Sequence, residues 1–346
     1  MQSTERVRQD LDERSGAAGS NIVEKSGPHV VCTHAEGSYF YGLAALANSL
    51  VHAGFKGRIV VGYRGPKPPW AEALKIKDEA RQIYEVTSTV DLHFIEVPGT
   101  WHLANHKGHL IKQIFYEIVP NADLVYYLDT DIVITHDWST LAEWACSGVV
   151  VALDMTDTYM PPYHVYRRAW EQLASKTNRR CRDFTGYVNS GCVGINRAFA
   201  EFAEVWALLM EELEREGADM NKGGDRESRR QRVGRLEYAR MDQDVCNATI
   251  MATDTPIALL GTEAMGLFPW IGTVMPHAMF HKKPWVRNYI FDALRGFPPN
   301  RTYRTYWQFV DGPIRPFSEW QLRRKKAALA VARLIGLFHT RSFRDL

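Results

Sequence analysis

Over residues 29–135, short β-prone runs alternate with stretches of helical period, and few folds accommodate that rhythm. His29-Val30-Val31-Cys32-Thr33 reads as a first strand. Residues 40–51 read as a helix with Leu43, Ala44, Ala47, Leu50 and Val51 on one face. Gly54 and Gly57 bracket the turn into a second strand over 58–63. Beyond Pro66, Pro68 and Pro69 the pattern predicts a helix over 70–84, then a strand over 92–97 and a helix over 110–118. The run Leu124-Val125-Tyr126-Tyr127-Leu128 is the next strand. Such alternation predicts an α/β chain with a mostly parallel, doubly wound sheet and right-handed crossovers. GxGxxG and GxxxxGK[ST] are both missing there, so neither a dinucleotide fold nor a P-loop is signalled.

Later the rhythm loosens. Strands are expected over 149–154 and, with a glycine break, over 187–196, and a long helix over 197–216. Residues 217–236 are polar and carry Arg226, Arg229, Arg230, Arg232 and Arg235, which predicts a mobile loop. The 346 residues suit one large domain or two small ones. We expect a polar leader over 1–27 that is no signal peptide, a main domain over 28–290, and an extension over 291–346. A net charge of +2 points to neither nucleic acid nor an acidic partner. Five cysteines without a CxxC argue against a disulfide scaffold or zinc site and for a reducing, cytoplasmic compartment. No apolar run reaches the roughly eighteen residues that span a bilayer.

The strand over 124–128 ends in Asp129-Thr130-Asp131. Carboxylates at a strand end sit where an open α/β sheet presents its ligand sites. Two hard oxygen ligands there suggest a divalent cation, and with it phosphate chemistry. Taken alone, such a pair is more often a turn former or a helix cap.

His277-Ala278-Met279-Phe280-His281-Lys282-Lys283-Pro284-Trp285 changes that balance. Here the chain resembles the GT-A glycosyltransferases of the glycogenin and lipopolysaccharide galactosyltransferase type, glycosyltransferase family 8. Their motif is His-x-x-Gly-x-x-Lys-Pro-Trp; His277, Lys283, Pro284 and Trp285 match it, and Phe280 takes the glycine position. The resemblance implies a GT-A fold, a metal site of Asp129, Asp131 and His277, and Lys283 as a phosphate clamp. It also implies a UDP-sugar donor and a retaining transfer of a glucose- or galactose-type hexose to a hydroxyl acceptor. The mixed oxygen and nitrogen ligands suit Mn²⁺, with Mg²⁺ as the alternative.

Other segments look like the same family. Lys112, on the helix before the Asp129 strand, is expected to reach the donor sugar and phosphate. Asn189-Ser190-Gly191 is similar to the Asn-Ala-Gly whose first two residues touch the donor sugar. Thr130 is grouped with these donor contacts. In Asp242-Gln243-Asp244, the resemblance puts Asp242 on sugar hydroxyls and Gln243 near the β-face of the anomeric carbon. Glu36-Gly37-Ser38-Tyr39 stands where the family reads Asp-x-Asn-Tyr; Glu36 then faces the base and Tyr39 stacks on it.

A double displacement needs a nucleophile below the sugar, and Gln243 is an amide. A front-face transfer, in which the diphosphate helps to deprotonate the acceptor, is therefore favoured, with Asp242 or Asp244 as the alternative nucleophile of a double displacement. Asp154 and Asp157 are expected near the acceptor cleft. Two further functions stay open: a sugar-1-phosphate nucleotidyltransferase, and a non-catalytic sugar-binding protein on the same fold. Over 317–338, Trp320, Ala327, Ala328, Val331, Leu334, Ile335 and Phe338 share a helical stripe behind four consecutive cations. That helix either lies on an anionic membrane, which suits a glycolipid or lipopolysaccharide acceptor, or packs on its own domain.

Overall fold

The computed structural model describes residues 27–155, 159–222, 231–267, 274–279 and 282–339. Of the sequence expectations, the leader up to residue 26, Asp157, Phe280, His281, Arg226, Arg229 and Arg230 lie outside the described residues. The alternating first third folds as β1 (His29–Ala35), α1 (Phe40–His52), β2 (Gly57–Tyr63), β3 (Lys75–Asp78), β4 (Ile83–Thr87), β5 (Val90–Glu96), α2 (Lys107–Gln113) and β6 (Leu124–Leu128). Then come α3 (Trp138–Cys146), β7 (Val149–Leu153), α4 (Val165–Ala174), β8 (Val188–Asn196), α5 (Glu201–Arg215), β9 (Gln231–Val233) and β10 (Leu236–Tyr238). The last elements are α6 (Met241–Ala252), β11 (Ile257–Leu260), α7 (Tyr289–Leu294), α8 (Arg301–Tyr306) and α9 (Glu319–Phe338).

Nine strands form one sheet in the order β11-β7-β8-β6-β1-β2-β5-β4-β3. Its centre, β6-β1-β2-β5, is parallel; β8 runs antiparallel between β6 and β7, and β4 and β3 close one edge antiparallel. Val30, Val31, Val60, Val61, Val125 and Tyr126 are all fully buried, as strands covered by helices on both faces must be. One core packs α2, α4, α5 and α6 on one face, a second packs α1 and α3 on the other, and a third joins α7, α8 and α9 to α1. The expected mostly parallel α/β sheet flanked by helices is therefore present.

Two expectations fail. Residues 70–84 are not a helix but a single 3₁₀ turn, Pro69–Ala73, followed by β3 and β4. Ile76, Ile83 and Tyr84 are β-prone, and pairing with β5 outweighs the weak helical period. The loop expected over 217–236 contains a hairpin strand, β9, paired antiparallel with β10.

Candidate functional site

Three polar segments meet at the carboxyl edge of the parallel strands, where they line an open cleft. Leu128 pairs with Cys192, so Asp129 leaves β6 beside Gly191, and its N–H donates to the Gly191 carbonyl at 2.8 Å. The residues that follow pair with a late segment. Ile132 bridges His277, and the Ala278 N–H donates to the Asp131 carbonyl at 2.9 Å. This pairing brings a histidine from residue 277 against carboxylates at 129 and 131.

The ligand atoms of Asp129, Asp131 and His277 lie within 4.8 Å of one another. Nε2 of His277 is 3.1 Å from Asp131 Oδ1 and 3.7 Å from Asp129 Oδ2. The opposite oxygens face lysines: Lys283 Nζ donates to Asp131 Oδ2 at 2.5 Å, and Lys107 Nζ lies 3.2 Å from Asp129 Oδ1. Each carboxylate thus turns one oxygen to an ammonium and the other toward the imidazole. Two carboxylate oxygens and one imidazole nitrogen, converging and shielded, fit a divalent cation of the Mn²⁺ or Mg²⁺ kind. Burial would push the Asp131 carboxyl up, but Lys283 and His277 outweigh it and hold it well below the usual range.

Gly191 makes this approach geometrically feasible. A Cβ there would stand 2.7 Å from His277 Cε1 and 2.8 Å from Asp129 Oδ2. The β7–β8 register also shifts next to it, between the Val151↔Val193 and Ala152↔Asn189 pairs, so Ser190-Gly191-Cys192 forms a bulge beside the site.

Lys107 is the residue that sequence reasoning missed. It opens α2, its side chain is 3% exposed, and Nζ lies 2.9 Å from Asp242 Oδ2 as well as near Asp129. It also donates to the carbonyl and Oγ of Ser190, and Ser190 Oγ donates to Asp242 at 2.8 Å. Burial would lower the Lys107 pKa, but the two carboxylates outweigh it and hold the ammonium above its ordinary value. Asp242 is correspondingly held low, against burial, chiefly by Lys107. Lys112, expected in this place, is exposed and lies off the cleft lining. Five residues of helix rotate it roughly 140° from Lys107, onto the solvent face. The signal available in the sequence was a lysine with no apolar reason to sit at a helix start among His102, His106 and His109.

Asn189, Ser190, Asp242 and Gln243 all line the cleft, and so does Thr130. Asp154 does not: it is fully buried behind the wall. Its Oδ2 accepts from Asn189 Nδ2 at 2.9 Å, Arg240 Nη1 at 3.1 Å and Gln243 Nε2 at 3.2 Å. It therefore orients three cleft residues rather than meeting an acceptor.

At the β1 end, Glu36 and Tyr39 line the cleft. Tyr39 is 41% exposed, its ring edge-packed on Trp285 and 5.9 Å from Lys283 Nζ. His34, also in the lining, is held neutral chiefly by burial, with His106 and Lys107 adding to that.

The sequence signature described as the Rhodobacterales glycosyltransferase domain matches residues 30–223, more than half of the chain. No curated protein matches the chain. Among solved structures, the apo structure of the bifunctional glycosyltransferase WbbM superposes with a TM-score of 0.51 at 15% identity, over 89% of this chain and 52% of that one. The chain thus spans about half the length of that protein, and at this identity the likeness is one of fold. The galactosyltransferase LgtC, in complex with donor and acceptor sugar analogs, gives a TM-score of 0.48 at 14% identity, over 86% of this chain and 99% of that one.

Proposed function

The chain belongs to the Rhodobacterales glycosyltransferase domain family, and on that premise we propose a metal-dependent, retaining transfer of a glucose- or galactose-type hexose from a UDP-sugar to a saccharide or glycolipid hydroxyl. The observation that carries this reading is the convergence of Asp129, Asp131 and His277 between two lysines, in a cleft whose far wall is Asn189, Asp242 and Gln243. The motif set that resembles family 8 supports the finer assignment. The cation, Mn²⁺ or Mg²⁺, would supply Lewis-acid neutralisation of charge on the diphosphate leaving group.

The chain's own residues supply the rest. Lys283 carries a positive charge suited to phosphate oxygens, and Tyr39 beside it offers a ring face for the base. Lys107 and Ser190 keep Asp242 ionised, which suits it to accept from sugar hydroxyls. Gln243 is tethered by its amide N–H to Asp154, and so presents its remaining amide atoms rather than a nucleophile. We therefore keep the front-face transfer, with the diphosphate assisting deprotonation of the acceptor. If Gln243→Ala leaves turnover unchanged, Gln243 has no catalytic part.

Nucleotide-sugars screened by thermal shift and by UDP release, with and without Mn²⁺, test the proposal. Stabilisation by UDP-glucose or UDP-galactose only in the presence of the cation is expected. Pyrophosphate release from a nucleoside triphosphate would instead mark a nucleotidyltransferase. Absence of both Mn²⁺ and UDP binding would mark a non-catalytic protein.

A further inference from the structure

Exposed apolar side chains are unevenly distributed. Eighteen large hydrophobic residues are exposed among the described residues, and nine of them lie between 286 and 338: Val286, Ile290, Phe291 and Leu294 around α7, and Trp320, Val331, Leu334, Leu337 and Phe338 on α9. The two helices pack against each other. Lys325 on α9 also holds the segment leading into α7, donating from Nζ to the carbonyls of Trp285 and Arg287, both at 3.2 Å.

The α9 helix is apolar on two sides. Leu322 and Ala332 are buried against the domain, with Ala328, Leu329 and Ile335 half-buried. Trp320, Ala327, Val331, Leu334 and Phe338 point outward; Leu334 is 58% and Phe338 85% exposed. The stripe expected from sequence is thus split, with Ala328 and Ile335 turned inward. A helix that needed only its own domain would carry polar residues on that outer side.

Charge identifies what covers it. Residues 286–339 hold ten Lys and Arg against three Asp and Glu, a formal +7 within a chain of +2. Asp292, one of the three acids, is already paired with Arg287 and Lys282. Arg323, Arg324, Lys326 and Arg333 are exposed along the flanks of the outward stripe. Exposed aliphatic and aromatic groups bordered by cations match the headgroup and acyl boundary of an anionic bilayer. No helix among the described residues is long and apolar enough to cross a membrane.

We propose that the outer faces of α7 and α9 form an interfacial docking surface for anionic lipid. The surface begins three residues after Lys283, which lines the cleft, so docking holds the cleft close to the bilayer. A lipid-linked saccharide as acceptor then follows, a step that rests on the proposed transferase activity.

Flotation of the full chain with phosphatidylglycerol-containing vesicles tests the surface without requiring turnover. Binding to those vesicles and weak binding to phosphatidylcholine vesicles are expected. Each cation near an anionic surface is worth about five-fold in partition. The double variant R323Q/R324Q should therefore lower partition by about 25-fold. L334E/F338E should lower it at least as much, with the melting temperature and donor hydrolysis retained in both. A folded wild-type chain that fails to float with anionic vesicles overturns the proposal. So does a self-association seen by light scattering that L334E/F338E abolishes, which would assign the surface to a second copy. Vesicle binding without donor turnover would leave the surface standing and remove the transferase reading.

Discussion

Replacing Lys107 by Met keeps the volume of the side chain and removes its charge, which isolates the electrostatic role of a residue the sequence did not advertise. Nζ lies 3.2 Å from Asp129 and 2.9 Å from Asp242. At an effective dielectric near 20, each contact is worth about 5–6 kcal/mol of Coulomb energy before desolvation. Burial of the ammonium offsets most of that. Leaving partners unpaired in such a cluster typically costs about 3–5 kcal/mol. The carboxylates are 29% and 21% exposed and recover some solvation, so the lower end, about 3 kcal/mol, is expected. For 346 residues the entropy of unfolding converts this at about 1.4 °C per kcal/mol, a fall of about 4 °C. Scanning fluorimetry at neutral pH without added cation reads that shift. UDP-sugar turnover should fall about 100-fold as Asp129 and Asp242 repel and shift by up to an ångström. Lys112→Met should change neither quantity. A Lys107→Met variant that melts within about 1 °C of the wild type with turnover intact would rule out this electrostatic role.

The other expectations concern pH, space and the cation. Burial lifts the Asp244 carboxyl to about 7, despite hydrogen bonds from Trp170 and the Arg240 backbone. Because the folded state binds this proton more tightly, its stabilising effect is full below about pH 4 and is lost as pH rises toward 7, by up to ~4 kcal/mol. Melting temperatures of the wild type and of Asp244→Asn across that range should diverge in slope, and parallel curves would contradict it. Gly191→Ala should leave the circular dichroism spectrum native but weaken Mn²⁺ binding at least ten-fold in titration calorimetry, since its Cβ would press on His277 and Asp129. Mn²⁺ at about one hundred times its dissociation constant should stabilise the wild type by about 2.7 kcal/mol, or about 4 °C. His277→Ala should abolish that shift without lowering the cation-free melting temperature as much as Asp131→Asn does. Asp131 also holds Lys283, whereas Nδ1 of His277 has no hydrogen-bond partner among the described residues.

Legibility followed the range of the interaction. The central strands could be read because buried parallel strands are continuous apolar runs, whatever their neighbours. The Asp129, Asp131 and His277 cluster could be read because its members sit in motifs with fixed chemical types and order. The edge hairpin β3–β4 could not, since its exposed Lys75, Ile76 and Lys77 take their conformation from pairing partners up to 10 residues away. Lys107 and Lys112 share a helix and a charge, and only the helix's rotation against β6 decides which is buried. Asp154 looked like a cleft residue for a similar reason. A strand-end aspartate can point into the cleft or behind it, and its pairing with Arg240, remote in sequence, selects the second.

Charge balance links the lysines to the proposed donor. Asp129, Asp131 and Asp242 face Lys107 and Lys283, so with His277 neutral the cluster carries one net negative charge. A bound divalent cation would reverse that to one net positive charge, the sign a nucleoside diphosphate requires. The two lysines are not equivalent in that exchange. Lys107 is clamped by two carboxylates and both oxygens of Ser190. Lys283 holds a single carboxylate and the Ala278 carbonyl at 3.3 Å, and its side chain is 18% exposed. Competition for Asp131 therefore falls on Lys283, and a cation there would free its ammonium toward the cleft beside Tyr39. Lys283→Met should consequently tighten cation binding in the absence of nucleotide, because a competing positive charge is gone, while weakening UDP binding in the presence of cation. Titration calorimetry in the two orders of addition separates these effects, and a parallel loss of both would place Lys283 as a structural support of Asp131 alone.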